Sequence, residues 1–136
     1  MLAVATKFDE LEARIATLPP VEAEVVHHFA PGVYAREMRL LPGTMLTGKI
    51  HKTEHLNIVQ GDITIFDELE GTGRRITGYA CFTSKPGTRR AGFAHAATAW
   101  ITIHPTKETD LAKIEDEVIE KHDNPLLAAV KMEALQ

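Results

Sequence analysis

Between Val21 and Trp100 a turn signal interrupts the chain about every ten residues, the spacing of short strands and not of helices. The signals are Pro31-Gly32, Pro42-Gly43, Gly61-Asp62, Gly71-Thr72-Gly73, Gly78 and Pro86-Gly87. The runs between them are rich in Val, Ile, Thr, Tyr and Phe, and none keeps a helical period. Such a pattern folds into an antiparallel sandwich or barrel. The expected strands are 21–29, 32–40, 44–51, 54–60, 62–68, 73–78, 80–84, 91–95 and 98–104.

Helical spacing appears only at the two ends. Phe8, Leu11, Ile15 and Leu18 recur on one face of residues 6–18, with Thr6 as cap and Pro19-Pro20 as stop. Leu111, Ile114, Val118 and Ile119 make a second stripe behind Thr109 or Asp110. Asn124-Pro125 predicts a restart carrying Leu126, Leu127, Val130 and Leu135. With 136 residues and no linker or repeat, the expectation is one domain. It comprises an N-terminal helix over 1–20, a β-barrel over 21–104 and a C-terminal helical segment over 105–136.

Charge and cysteine usage narrow the functional classes. A net charge of −4 with only short Arg doublets argues against nucleic acid as partner. Cys81 is the single cysteine, which removes disulfides and thiolate metal clusters and fits a cytoplasmic location. Its setting, Tyr79-Ala80-Cys81-Phe82, reads as strand interior. The first ten residues turn acidic before an export signal develops, and no run approaches the ~20 apolar residues of a membrane span. No membrane partner is expected.

The densest chemistry lies in Gly48-Lys49-Ile50-His51-Lys52-Thr53-Glu54-His55, which places two histidines and a carboxylate at the mouth of a strand. Imidazole and carboxylate together are the material of a metal or acid–base site. Glu54 alternates in phase with Leu56 and Ile58, so it is expected to face the barrel interior while His55 faces away. A buried Glu54 needs a cation or donor, for which Lys49 and Arg90 are candidates. His51 and Glu54 are the candidate catalytic pair. Tyr34 and Trp100 are candidate pocket walls, with core packing as the alternative for each. His95, past the Pro86-Gly87 turn, is a further candidate ligand, and His104, ending the last β run, reads as structural. Nucleophile elbows and phosphate loops are lacking; Gly71-Thr72-Gly73-Arg74 is followed by no helix.

Residues 32–104 resemble the cupin superfamily of small jelly-roll barrels. Glu54, six residues and Gly61 match the end of its first motif, and Pro42-Gly43-Thr44 the turn before it. Pro86-Gly87-Thr88 is similar to the turn of its second motif, with Ala99–Ile103 as closing strand. Phe29–Glu37 and Gly48–His55 also resemble small cupin-like proteins of bacteriophages, a group with no activity to carry over. The resemblance implies an all-β, cupin-type jelly-roll β-barrel flanked by an N-terminal helix and C-terminal helices. It also implies a small-molecule ligand and one divalent transition metal (Fe, Mn, Ni or Zn). The chain departs from the family at the ligands themselves. Two positions where cupins carry histidine fall at Lys49 and near Arg90, and only His51 remains in place. A metal would therefore rely on a rebuilt set: His51, Glu54, His55 and His95.

Two functions fit. One is a small-molecule-binding barrel, with isomerisation, lyase chemistry and metal-dependent oxidation all open to it. The other is a non-enzymatic accessory or assembly protein of phage type that keeps the barrel and has lost the site. The apolar C-terminal residues need a covering surface, and a homodimer would supply one.

Overall fold

The computed structural model describes residues 7–48, 51–67, 72–118 and 127–129. Helix α1 (Lys7–Ile15) precedes seven strands: β1 (Glu24–Ala30), β2 (Val33–Leu40), β3 (Thr44–Thr47), β4 (His55–Asp67), β5 (Gly73–Ser84), β6 (Arg90–Ala94) and β7 (Thr98–Pro105). Helix α2 (Leu111–Val118) and a short strand β8 (Leu127–Ala129) follow. All strands join one antiparallel sheet in the order β1-β2-β7-β4-β6-β3-β8, with β5 paired to β4. The sheet curls into a half-barrel, in keeping with the expected β architecture. Among the described residues no helix is long and apolar enough to cross a membrane.

The Pro-Gly pairs behave as turns. Ala30 pairs with Val33, which leaves Pro31-Gly32 as a two-residue connection. Proline presets the first turn position, and glycine accepts the positive φ of the second: 78° at Gly32, 84° at Gly43 and 81° at Gly87. The other glycine signals correct the sequence reading. Gly61-Asp62 and Gly78 are not turns; Gly61 lies opposite Gly78 inside one long hairpin. Segments 54–60 and 62–68 therefore join as β4, and 73–78 and 80–84 join as β5. Gly61 is where the other edge of β4 changes partner, from β7 (through Gln60) to β6 (from Ile63). The chain linking β6 to β7 passes so close there that only a residue without Cβ fits. A Cβ on Gly61 would lie 2.7 Å from both the Ala97 carbonyl oxygen and Thr98 Cα.

Helix α2 starts where Asp110 Oδ1 accepts hydrogen bonds from the backbone NH groups of Ala112 (2.9 Å) and Lys113 (3.2 Å). It lays Ile114 and Val118 on Tyr34, and all three are buried. The helix expected after Asn124-Pro125 is corrected at 127–129, which form β8 against β3; the rest of that stretch lies outside the described residues. β3 otherwise pairs only with β6, and an open strand edge recruits a further strand more strongly than a short helix holds together. The main core gathers Leu40, Leu46, Val59, Ile63, Ile65, Ile76, Ala94 and Trp100 on the inner face of the sheet.

Candidate functional site

Above that core the inner face turns polar and encloses a cavity of about 590 Å³. Strand register builds its wall in rows. Phe29 lies opposite Tyr34, Tyr34 opposite His104, and Leu56 opposite Ile103, which brings His55 beside His104. One row further in, His27, Arg36, Thr102 and Asn57 stand side by side. Helix α2 closes the same space with Leu111, Ile114 and Val118.

The odd residues of β4 point inward: His55, Asn57, Val59, Ile63 and Ile65 are all 5% exposed or less. The expectation that Glu54 faces the interior is therefore overturned. Glu54 is exposed and Leu56 is 46% exposed. Leu56 and Ile58 lie beside Ile103 and Ile101, forming an apolar stripe on the outer face. Taking the apolar parity as the inner one put the register one residue out, which exchanges the two faces of a strand. Lys49, the proposed partner of Glu54, lies outside the described residues. His95 lies outside the cavity wall; its Nε2 meets Thr64 Oγ1 at 2.7 Å and its ring stands edge-on to Phe93. His51, His55, Tyr34, Trp100 and Arg90 do line the cavity.

The cavity's most distinctive feature is a cluster of three imidazoles. The His51 and His55 ring centres are 4.1 Å apart, His55 and His104 4.8 Å, and His51 and His104 5.1 Å. Nδ1 of His55 lies 3.1 Å from the Thr53 carbonyl. A carbonyl only accepts, so that nitrogen carries the proton and Nε2 is left bare. Nδ1 of His104 is buried with no hydrogen-bond partner. Burial lowers the His104 pKa to about 4, with neighbouring His55 adding to the effect. Burial also lowers the His55 pKa, helped by Arg90 and opposed by the Thr53 hydrogen bond. Both rings are thus neutral at neutral pH, the form in which imidazole binds metals or accepts a proton.

These shifts fix a sign for acid stability. An unfolded chain protonates His104 near the ordinary value of 6.5, the folded chain only near 4. In that window the unfolded state binds more protons. The metal-free protein should therefore lose stability as pH falls from about 6.5 to about 4, and hold level above. Urea midpoints across that range test this. The His104→Gln variant should show a shallower fall, and equal slopes in both proteins would contradict the assignment.

Behind the histidines, a buried hydrogen-bonded relay stiffens the wall. Trp100 Nε1 can only donate, and it meets Asn57 Oδ1 at 3.0 Å, which fixes the orientation of that amide. Asn57 Nδ2 then donates to Ser84 Oγ (2.7 Å) and to the Phe82 carbonyl (3.5 Å). Ser84 also accepts from Arg90, whose Nη2 lies 3.3 Å from Asp67 and whose guanidinium stacks 4.8 Å from the Phe82 ring centre. Arg90 is thus already neutralised by Asp67. Sequence reasoning put Asn57 on the His55 face, to line the pocket only if the register were one residue out, and missed Arg36 and the role of His104. A usable signal existed: Tyr34, Met38 and Leu40 share a parity on β2, and Arg36 falls within it.

Three clustered imidazoles, two of them (His55 and His104) held neutral by burial, suit a divalent transition ion. Rings sharing such an ion through nitrogens about 2.1 Å from it would have centres roughly 5 Å apart. The observed spacing is close to that, and the orphaned His104 Nδ1 supplies an unused donor. The orientation is not yet that of a ligand set. The rings lean over one another at 20–38°, and no group of three His, Cys, Asp or Glu among the described residues is disposed to hold an ion as it stands. The cluster thus fits a metal in kind and spacing, and needs ring rotation to aim its nitrogens.

No family model and no curated protein matches the chain, so the likeness to phage proteins is not shown. Solved structures do match. Ectoine synthase from P. lautus superposes with a TM-score of 0.58 at 16% identity, over 97% of this chain and 94% of that one. A cupin 2 conserved barrel domain protein from Leptotrichia buccalis gives 0.53 at 16% identity, over 76% of this chain and 50% of that one. An ethanolamine utilization protein Q from Salmonella typhimurium gives 0.50 at 8% identity, over 63% and 71%. The fold is that of the cupin barrels.

Proposed function

We propose that the chain binds a small molecule in the half-barrel cavity, with His51, His55 and His104 as its reactive pole. The observation that carries this is the imidazole cluster, all ring centres within 5.1 Å, on the wall of the half-barrel cavity. The structural neighbours support it through their fold, and ectoine synthase by its name acts on a small molecule. A bare His55 Nε2 can accept a proton from a bound substrate, with His51 beside it to share the charge. Glu54, exposed and outside the cavity wall, has no part in this assignment. One divalent ion held by the three histidines would occupy that same His55 nitrogen, and would supply Lewis-acid polarisation of a ligand oxygen in place of proton acceptance there.

Cobalt(II) titration of chelator-treated protein tests the ion. One equivalent should bind with visible-region absorption, and His55→Ala or His104→Ala should abolish it while His95→Ala leaves it intact. Equal uptake by all three variants would remove the cluster from the assignment.

The outer stripe of Leu56, Ile58, Ile101 and Ile103 supports a second reading, in which this face packs against a second copy of the chain. The two readings use opposite faces of the sheet and do not compete.

A further inference from the structure

Arg36 stands in the second row of the cavity wall, between His27 on β1 and Thr102 on β7. It shares its strand face with Tyr34 and Leu40, which are 4% and 3% exposed, and it lines the cavity. No hydrogen bond or ion pair holds its guanidinium among the described residues. That contrasts with the other cavity guanidinium, Arg90, which is tied to Asp67 and Ser84. Half-buried and facing a cavity that Glu22 and Glu115 also line, this guanidinium keeps its donor fork open to a ligand.

The geometry points to Arg36 as the anchor for a carboxylate on the cavity's ligand, with the Thr102 hydroxyl beside it as a second donor. This rests on the proposed small-molecule reading and names the class of molecule: a short-chain carboxylic acid bearing a second polar group. The guanidinium fork matches a carboxylate with two parallel hydrogen bonds. Successive inward residues on a strand lie about 7 Å apart. The Arg36 row and the row of Tyr34, His104 and His55 are successive in this sense. The acid's second group would therefore reach the imidazoles when its carboxylate sits on Arg36. A phosphate dianion calls for more positive charge than one guanidinium, and Arg90 is already neutralised. A carboxylate monoanion is the better match.

Calorimetric titration of the full chain with 4-hydroxybutyrate and 5-hydroxypentanoate, each against its neutral amide, tests this. The acids should bind roughly tenfold or more tightly than the amides. Arg36→Gln should erase that preference without changing amide affinity. If Arg36→Gln does not fold, Arg36→Lys carries the test. Its point charge should lower acid affinity by about threefold to tenfold while sparing the amide. Acid and amide binding alike, or both weakened alike by the substitution, would overturn the anchor and leave the cavity reading standing. Methyl phosphate binding more tightly than either acid would overturn the choice of carboxylate. No binding of acid or amide would overturn the anchor together with the cavity reading.

Discussion

A chain carrying Gly61→Ala should unfold at a far lower urea concentration than the natural one, with roughly 3 kcal/mol or more of stability lost. Two effects add. The φ of Gly61 is 148°, a backbone conformation that residues with a Cβ rarely adopt. The added methyl would also press into backbone, on the Ala97 oxygen and Thr98 Cα at 2.7 Å, and into Thr98 Oγ1. Thr98 cannot step aside cheaply. Its hydroxyl accepts from the Asp62 NH at 3.1 Å, and its single proton is shared between the carbonyls of Ala96 (3.0 Å) and Asp62 (3.3 Å). Gly78, directly across the hairpin, is the control. Its φ is 88° but a Cβ there would meet nothing within 4 Å. Gly78→Ala should therefore cost only the backbone strain, about 1–2 kcal/mol. Denaturation curves that place the two variants at the same midpoint would show that β6 and β7 do not crowd Gly61 in solution.

Asn57→Leu should destabilise the chain by about 2–4 kcal/mol despite being close in size, because it leaves polar groups stranded. Asn57 is 1% exposed and Trp100 8%, so the indole NH loses its partner in a largely buried position. Ser84, also 1% exposed, loses one of its two donors in the same stroke and keeps Arg90. Pairing the change with Trp100→Phe separates the contributions. The double variant should recover about 1–2 kcal/mol relative to the sum of the singles, since the stranded donor is then absent. Strict additivity would mean that the Asn57–Trp100 hydrogen bond contributes nothing to the native state. The same relay backs the wall that carries His55 and His104, so Asn57→Leu should also blunt cobalt binding in whatever fraction remains folded.

The sheet was legible in the sequence because its punctuation is chemical: each Pro-Gly pair supplies the dihedral angles that its turn requires. Gly61 and Gly78 use the same residue for close approach of neighbouring backbone, and a sequence shows the residue without showing which need it serves. That ambiguity propagated into the site. Splitting β4 at Gly61-Asp62 left Leu56 and Ile58 outnumbering Val59 as guides to which face lies inside. Joined into one strand, Val59, Ile63 and Ile65 give the opposite phase and carry His55 and Asn57 inward. His104 was obscured for a related reason. On β7 the bulky aliphatic residues Ile101 and Ile103 lie on the outer face, while Trp100, Thr102 and His104 face the cavity. Alternation tells which residues share a face, and the face that encloses a ligand need not be the greasier one. Arg36 and Thr102 meet only through the β2–β7 register, a pairing far apart in the chain.

The alternating faces have a consequence for how such a protein can change. Where β2, β4 and β7 border the cavity, every second residue faces it, and the residues between lie on the outer face. Recognition and scaffold are thus written in interleaved letters of the same three strands. Substitution at Arg36 or Thr102 rewrites what is bound, while Leu56, Ile58, Ile101 and Ile103 can stay as they are. A lineage, or an engineer, can explore new ligands one alternate position at a time with the architecture held constant. The reverse experiment, redesigning the exterior for a new partner, leaves the chemistry untouched.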